Sequence, residues 1–359
     1  MGTRMTNSAA DGAQLDPREQ NFRIASPHPG LSLFMRYLPP IAGGEPRGRT
    51  VLYVHGGTFP SALSIAHRFD GTSWRDMLGA AGFHVWGLDF HGSGASDPYP
   101  EMAQPAEAHP PLGRAEECSQ QLETAVRFIC EHYDVLRVSL LAHSWGTIVS
   151  GAFAGRCPEL VDRLVFFGPI AGRAPNGERR CLAAWRLISL QDQWERFVAD
   201  VPRGEPAVLS RRHFDEWGER YLDTDAYSRE RSPAAVKTPS GAFQDIFDAW
   251  AGELAYDPAR VLHPVAIIRG EWDGICSDAD ARWLFEGCRT PHCGATSRSA
   301  ALRTSCISSK TVSRSIARPS VFLAEATVSS TGGRHERCRS HPRIRLRHEP
   351  RSPFAGGAR

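Results

Sequence analysis

Short hydrophobic runs alternate with longer amphipathic segments over the first 287 residues of the chain. The runs are rich in β-branched and aromatic residues and predict strands. They span residues 31–38, 50–56, 83–90, 138–144, 164–170 and 264–270. Helical periodicity predicts helices at 73–82, 118–133, 147–155 and 277–287. Strands that alternate with helices predict an α/β fold with a doubly wound, mostly parallel sheet.

The same pattern divides the chain into segments. Residues 1–21 lack periodicity and are predicted to be disordered, whereas 22–172 and 264–287 form the two parts of one core. The segment 173–263 lies between two predicted strands, has helical patterning and is rich in aromatic residues, so we predict an inserted helical cap. Aromatic side chains there are suited to an apolar substrate pocket. For any single one, packing within the cap's own core is the favoured interpretation.

The net charge of +2 conceals a strongly basic tail. Residues 288–359 contain 14 Lys and Arg against 3 Asp and Glu, so the tail carries +11 and the rest of the chain −9. The tail is rich in Ser, Arg and Pro without periodicity, which predicts disorder. The alternative is an arm that binds nucleic acid or an acidic membrane. Because base-stacking aromatics are nearly absent and four cysteines are present, we expect neither partner.

Cysteine usage argues against a metal site or a disulfide framework. The nine cysteines show no CxxC motif and no Cys/His ligand spacing, and no spacing supports a metal site built from His55, His91 and His143. We therefore expect no metal and no cofactor. No apolar run is long enough to span a membrane, and residues 1–20 lack an apolar signal segment, so the expected location is the cytoplasm.

The stretch LLAHSWGTIV, Leu140 to Val149, places a serine where an apolar run ends and a helical pattern begins. A nucleophile on a sharp strand-to-helix turn requires small residues two positions on either side, as Ala142 and Gly146 are around Ser144. The turn also places backbone N–H groups at a helix N-terminus, where a developing oxyanion is stabilised. The alternative is a serine that caps the helix.

A second turn carries the sequence HGG and ends at Gly57, directly after an apolar run. A glycine pair lets the backbone turn so that the N–H of Gly57 or Thr58 faces the cleft, and with the N–H of Trp145 it would form a two-donor oxyanion hole. The alternative is a tight turn that needs positive φ. A third turn, DFHGSGAS at 89–96, is a weak motif, and we expect it to be structural.

These motifs in this order, with RGEWDGI later in the chain, resemble the α/β-hydrolase superfamily over residues 22–287. AHSWG and HGGTFP are particularly similar to its esterase and proline-iminopeptidase-like branches. The resemblance implies Ser144 as the nucleophile, Gly57 and Trp145 as the oxyanion-hole donors, and Asp273 as the acid of a catalytic triad. Haloalkane dehalogenases and most epoxide hydrolases carry Asp at the nucleophile position, so Ser144 argues against both.

Asp273 also stands out without the resemblance. It follows the strand at 264–270 in a turn at the carboxyl end of the predicted sheet, where a carboxylate must lie to orient an imidazole. The alternative is a turn residue that caps the helix at 277–287, although Ser277 or Asp278 is equally suited to that capping. Asp278 is the reserve candidate for the acid.

The histidine of the triad is missing from its expected place. In the superfamily it follows the last strand, in a segment resembling G-x-x-H. Downstream of Asp273 the chain offers histidines at four positions, and none of them fits: His292, His335, His341 and His348.

The tail resembles GC-rich DNA read out of frame, and the body's single lysine, Lys237, points to a GC-rich gene. We back-translated Arg303 to Pro319 and read the permitted codons two bases later. The shifted frame permits the amino-acid sequence HLMHLEQDGLSLYREA, which supplies a histidine and an amphipathic helix. The shifted histidine falls across codons 303 and 304, a suitable distance beyond Asp273. We hypothesise a frameshift close to Gly287 and Cys288.

The sequence thus predicts a serine hydrolase that acts on a small carboxylic ester or amide, with its histidine missing from the chain as written. The alternative is a catalytically inactive protein of the same fold that binds a small ligand.

Overall fold

The structure, a computed structural model, describes residues 3–4, 15–175, 180–288, 295–299 and 323. Its strands are β1 Thr3–Arg4, β2 Gln20–Ala25, β3 Ser32–Leu38, β4 Thr50–Val54, β5 His84–Asp89, β6 Val138–His143, β7 Val161–Phe167, β8 Trp185–Ser189, β9 Ala235–Pro239, β10 Val265–Gly270 and β11 Ala295–Ser299. Its α-helices are α1 Trp74–Ala80, α2 Ala115–Tyr133, α3 Gly146–Arg156, α4 Leu190–Val198, α5 Arg211–Leu222, α6 Gly241–Trp250 and α7 Asp278–Gly287.

The described strands form one mixed sheet in the spatial order β1-β2-β3-β5-β4-β6-β7-β10-β11, and β8 and β9 form a separate antiparallel pair. In this spatial order, the pairs β1-β2, β2-β3 and β3-β5 are antiparallel, and every later pair, from β5-β4 to β10-β11, is parallel. The predicted mostly parallel α/β sheet is confirmed, and all six predicted strands are present. β7 begins at residue 161 rather than 164.

Alternate strand residues supply two hydrophobic layers, one on each face of the sheet. Leu52 and Val54 of β4 pack with α2 and α3 on one face, whereas Val51 and Tyr53 pack with α1 on the other. Parallel strands covered by helices on both faces must be apolar along their whole length. β4, β5 and β6 are accordingly buried at every position.

The prediction of a disordered N-terminus is wrong for the described residues before 22. β1 pairs with β2, which begins at Gln20. The carboxylate of Glu19 is completely buried and forms ion pairs with Arg36, at 2.7 Å, and with Arg75. Because a buried charge is tolerated only when it is paired, these contacts fix a polar segment whose sequence alone indicates disorder.

The prediction of a disordered tail is wrong for two pieces of it. β11 extends the sheet beside β10 in parallel pairing, and Leu323 is buried in the layer that contains α1. The chain as written therefore places a strand after α7, within the segment predicted to be disordered. Strand pairing uses backbone N–H and C=O groups, which every residue except proline carries. A segment translated from the shifted frame is therefore able to pair with β10 in the same way as β11.

The segment 173–263, the cap segment, contains α4, α5, α6 and the β8–β9 pair, so it is less purely helical than predicted. Aromatic residues of α4 and α5 pack together with Phe59, Leu63 and Phe69 of the core, and the indole of Trp217 donates to the Leu63 carbonyl at 3.0 Å. The cap segment thus lies over the turn that follows β4.

Candidate active site

Ser144 lies on a sharp turn between β6, which ends at His143, and α3, which begins at Gly146. Its φ is 53°, in the left-handed region that residues other than glycine rarely adopt. The turn is held by bonds from the Ser144 N–H to the Phe167 carbonyl (2.9 Å) and from the Thr147 N–H to the Ser144 carbonyl (2.9 Å). A strained serine fixed in this way is typical of a functional residue rather than of a surface loop.

The neighbours of Ser144 are small because the turn presses against the end of β4. A Cβ added to Gly146 would lie 2.5 Å from the His55 carbonyl oxygen and 2.7 Å from that of Val54. The N-cap position of α3 is taken by Trp145, without a side-chain capping bond. Helix capping therefore does not account for Ser144.

Gly57 lies beside this turn. A Cβ on Gly57 would be 4.0 Å from the Cβ of Trp145, and a Cβ on Gly56 would be 3.3 Å from that of Ser144. The structure thus brings Ser144, Trp145 and Gly57 together at the carboxyl ends of two neighbouring parallel strands, β4 and β6. Such proximity is what a nucleophile and two oxyanion donors require, and the roles themselves remain a prediction.

His55 and His91, which flank this region, are engaged in structural hydrogen bonds. The Nε2 of His55 accepts from the Phe90 N–H at 3.1 Å, so its Nδ1 carries the proton and donates to the Gly56 carbonyl at 2.6 Å. His91 binds the Ser26 hydroxyl and the Asp97 carbonyl. Burial lowers the pKa of both imidazoles, and neither of them is placed as a base for Ser144.

Asp273 is a buried carboxylate in the turn after β10. Its Oδ1 accepts from the N–H groups of Ile275 and Cys276, both at 3.0 Å. Its Oδ2 is buried and receives no hydrogen bond from any described residue. Burial raises the pKa of Asp273 to about 6, with a further contribution from the charge of Asp200. Among the described residues, Oδ2 therefore has no donor.

The capping alternative for Asp273 is not what the structure shows. Ser277 caps α7 in a reciprocal capping box with Asp280. Asp278, the reserve acid, is 39% exposed and pairs with Arg269 at 2.5 Å. Asp273 is thus the buried carboxylate with an open acceptor, and Asp278 is a surface ion-pair partner.

Ser144 and Asp273 follow β6 and β10, which lie on either side of β7. Two strand spacings separate their backbones by roughly 10 Å, which leaves room for one imidazole between the side chains. None of the described residues after Asp273 is a histidine. The four tail histidines and the shifted codons 303 and 304 lie outside the described residues.

The third turn is structural, as its weak motif indicated. Both carboxylate oxygens of Asp89 are used: Oδ1 accepts from the N–H and hydroxyl of Ser61, and Oδ2 accepts from the Ala95 N–H at 3.2 Å. A Cβ on Gly94 would lie 2.2 Å from the Asp89 Oδ2. The motif therefore joins two loops of the core.

Sequence reasoning missed two cap residues that reach this region, Asp245 of α6 and Arg196 of α4. The Asp245 carboxylate accepts from the Trp145 indole at 2.8 Å, and Arg196 donates to the Thr58 hydroxyl at 2.9 Å. Both lie about a hundred positions or more along the chain from their partners. No local signal marks them, because only the packing of the cap on the core brings them close.

Comparisons with known proteins identify a matching family. The model of the family described as serine aminopeptidase, S33, matches residues 49–298. The match ends within β11, beyond the tail boundary predicted near 287. A search of the curated proteins found no match. In the described part of the chain, no helix combines the length and hydrophobicity needed to cross a membrane.

Solved structures with the same fold share little sequence with this chain. A thioesterase domain from the curacin biosynthetic pathway is 11% identical with a TM-score of 0.54, covering 85% of this chain and 99% of its own. A monoacylglycerol lipase from Paleococcus ferrophilus is 17% identical with a TM-score of 0.51, and the alignment covers 82% of this chain and 98% of the lipase. A meta-cleavage product hydrolase from Pseudomonas fluorescens IP01 is 16% identical with a TM-score of 0.55, and the alignment covers 83% of this chain and 96% of the hydrolase. At these sequence identities, structural similarity shows a shared fold and does not show a shared function.

Proposed function

Because the chain belongs to the S33 serine aminopeptidase family of α/β-hydrolases, we propose that its intact form is a serine hydrolase that cleaves a small carboxylic ester or amide by acyl transfer to water. The observation that carries the proposal is the buried Oδ2 of Asp273, which receives no hydrogen bond from any described residue. Asp273 follows β10, the second strand along the sheet from β6, and β6 leads into Ser144. A buried acceptor without a donor is costly, so the fold retains it for a partner.

In the proposed mechanism the missing histidine takes the proton of Ser144 as the hydroxyl attacks the carbonyl carbon. The backbone N–H groups of Gly57 and Trp145 stabilise the oxyanion. Asp273 accepts a hydrogen bond from the imidazole at Oδ2 and stabilises the imidazolium. The histidine then protonates the leaving group, and water hydrolyses the acyl-enzyme by the same route. We propose that the enzyme works in the cytoplasm without a cofactor.

We further propose that the histidine is encoded in the shifted frame of the tail. The first check is the nucleotide sequence across codons 284 to 310. A slip of one or two bases that opens the frame reading HLMHLE supports the proposal, and a closed frame contradicts it. The chain carrying this shifted segment in place of its tail is called the restored chain below.

A fluorophosphonate probe tests the nucleophile, because covalent labelling needs an activated serine. We expect rapid labelling of the restored chain and none of its Ser144→Ala variant. The chain as written should be labelled slower by a factor of about 1,000 or more, since it retains only oxyanion-hole assistance. Equal labelling of both chains would show that another residue activates Ser144.

The second candidate function is ligand binding without catalysis. It is favoured by the absence of a histidine among the described residues that follow Asp273. A sound gene with a closed shifted frame, together with an unlabelled Ser144, would make this candidate the better one.

A further inference from the structure

A carboxylate of the cap segment contacts the turn that carries Asp273. The Oδ2 of Asp200, which follows α4, accepts from the Gly274 N–H at 3.0 Å. A Cβ added to Gly274 would lie 2.7 Å from the Oδ1 of Asp200, so the carboxylate is packed against the backbone of the turn. Because Gly274 directly follows Asp273, this contact acts on the peptide group that joins the two residues.

The same peptide group is held from the core. The Nη2 of Arg269, on β10, donates to the Asp273 carbonyl at 3.1 Å. That carbonyl and the Gly274 N–H belong to one planar peptide group, so Arg269 and Asp200 bind its two ends. The orientation of this planar group sets the direction in which the Asp273 side chain leaves the backbone. Losing Asp200 removes one of these two bonds.

A second cap residue, Arg173, contacts the next part of the turn. Its Nη2 donates to the Ile275 carbonyl at 2.8 Å. The same guanidinium pairs with Asp280 of α7 at 2.9 Å and lies 4.6 Å from the centre of the Trp250 ring of α6. A variant at Arg173 would therefore disturb the docking of α6 as well as the turn, and Asp200 is the more direct probe of the turn.

Asp200 also acts on Asp273 through its charge. Burial is the largest cause of the raised pKa of Asp273; the negative charge of Asp200 adds to this effect, and the positive charge of Arg269 opposes it. Cys276, in the same turn, carries no charge at neutral pH, because burial raises its pKa to about 12. A histidine at the Oδ2 of Asp273 would lie in the field of Asp200 as well, and a nearby negative charge favours the protonated imidazole.

We propose that Asp200 is a positioning residue of the catalytic triad: by binding the Gly274 N–H it joins the cap segment to the turn of the acid and fixes the direction of the Asp273 carboxylate. The inference rests on the proposed function and deepens it, since it makes the geometry of the acid depend on a docked cap. With the cap docked, Oδ2 is directed toward the histidine. Without the bond to Asp200 the peptide group is able to rotate, and the carboxylate loses that direction.

Hydrogen exchange of the full chain as written tests the hold on the turn without any need for catalysis. Mass spectrometry of peptides that span residues 271–277 measures the rates. Asp200→Ala removes the acceptor, and we expect the amides of residues 274–276 to exchange about tenfold faster or more. Asp200→Asn keeps an oxygen acceptor of the same shape and should stay within about threefold of the unmodified chain. Unchanged exchange in Asp200→Ala contradicts the proposal.

Gly274→Ala tests the same contact from the side of the turn. The added methyl group would displace the Asp200 carboxylate, which is the end of a flexible side chain. The amides of Ile275 and Cys276 should again exchange faster. Combining Gly274→Ala with Asp200→Ala should have no further effect, because both changes remove one contact. Effects that add would mean that the two residues act independently, and the proposal would then be wrong.

Asp192→Ala is the control for a general loosening of the cap. Asp192 lies in the first turn of α4 and forms a reciprocal capping box with Ser189. Its loss should speed exchange in residues 190–198 and leave residues 271–277 unaffected. If it loosens the turn as much as Asp200→Ala does, the docking of the cap as a whole holds the turn, and Asp200 has no positioning role.

The pH profile of kcat/KM in the restored chain is a readout that a merely structural residue would not move. Its acid limb reports the pKa of the histidine. Asp200→Asn removes the charge and keeps the acceptor, so the limb should move to lower pH by about half a unit with kcat within about twofold. Asp200→Ala should also lower kcat about tenfold with KM little changed. Equal losses of kcat in both variants without a shift of the limb would indicate a structural role and overturn the proposal.

The two proposals fail in different experiments. If the restored chain never reacts with the fluorophosphonate while Asp200→Ala loosens the turn of the chain as written, the hydrolase is contradicted and the hold of Asp200 on Asp273 stands. If the restored chain is labelled at Ser144 equally fast with and without the Asp200 carboxylate, the positioning role is contradicted and the hydrolase stands.

Discussion

The indole nitrogen of Trp145 donates to the buried carboxylate of Asp245 at 2.8 Å, so the residue after Ser144 is held by a helix of the cap segment. The same carboxylate accepts from the Ala115 N–H at 2.7 Å and from the Arg114 guanidinium at 2.5 Å. The turn after β6, the start of α2 and the cap helix α6 therefore meet at one side chain. The backbone of Trp145 and the position of the cap are coupled through Asp245.

We therefore expect Asp245→Asn to act on the proposed oxyanion hole through Trp145. Asparagine replaces one of the two carboxylate oxygens with an NH2 group that faces a donor, so either the Arg114 guanidinium or the Trp145 indole loses its acceptor, and the charge that anchors both is removed. Trp145 is then less firmly held. In the restored chain kcat should fall about tenfold with KM little changed, a fraction of the loss caused by removing an oxyanion donor outright. Steady-state hydrolysis of a p-nitrophenyl ester measures both constants.

Asp248→Asn is the control for that prediction. Asp248 also pairs with Arg114, at 2.6 Å, but its carboxylate does not contact Trp145. Its loss should leave kcat within about twofold, as expected of a partly exposed ion pair. Equal losses in the two variants would mean that the ion pair with Arg114, rather than the bond to Trp145, maintains the site.

Local patterns predicted most of the fold and the positions around Ser144. Strands, helices and the glycines at Gly57 and Gly146 leave signatures within a few residues, because they reflect backbone geometry. Asp245 and Arg196 leave no such signature, because their roles depend on how a distant segment packs on the core. The buried Glu19 was misjudged for the same reason, since its two arginine partners are separated from it in sequence.

Glu19→Gln tests the correction made to the N-terminal segment. Removing the carboxylate leaves Arg36 and Arg75 buried without their counter-charge, and breaking such a cluster costs about 3–5 kcal/mol of the free energy of unfolding. Urea denaturation measures the loss. Glu131→Gln, at an exposed position of α2, should lie within about 0.5 kcal/mol of the unmodified chain. A loss below about 1 kcal/mol for Glu19→Gln would contradict the buried cluster.

Gly146→Ala tests the close approach between the turn at Ser144 and the end of β4. The added methyl group would overlap the carbonyl oxygens of His55 and Val54, which belong to the backbone and cannot turn away. We expect a loss of about 3 kcal/mol in the free energy of unfolding and, in the restored chain, loss of fluorophosphonate labelling.

Gly155→Ala, later in the same helix, is the matched change for Gly146→Ala. Its Cβ would lie 3.3 Å from the Cβ of the exposed Arg260, a contact that small shifts can accommodate. The higher helix propensity of alanine favours this variant by up to about 1 kcal/mol. If both variants have the same stability, the turn does not press against β4 as the structure indicates.

Asp273→Asn should reveal the raised pKa of the carboxyl group through the pH dependence of stability. Between the ordinary pKa of 3.8 and the native value of about 6, the folded state binds more protons than the unfolded state. The contribution of Asp273 to stability is therefore present below pH 3.8 and is lost as the pH rises through about 6. Asparagine does not titrate. The free energy of unfolding of the variant, relative to that of the unmodified chain, should thus be about 3 kcal/mol more favourable to folding at pH 8 than at pH 3.5. Urea denaturation of both proteins at both pH values measures this difference.

The same comparison in the restored chain tests the triad itself. A histidine beside Oδ2 donates a hydrogen bond to the ionised carboxylate and lowers its pKa, so the gain from Asp273→Asn should shrink or reverse sign. Asp215→Asn, at an exposed position of α5, should change stability equally at the two pH values in both chains. A gain of the same size with and without the restored segment would mean that its histidine does not reach Asp273, and the proposed Ser-His-Asp arrangement would then be wrong.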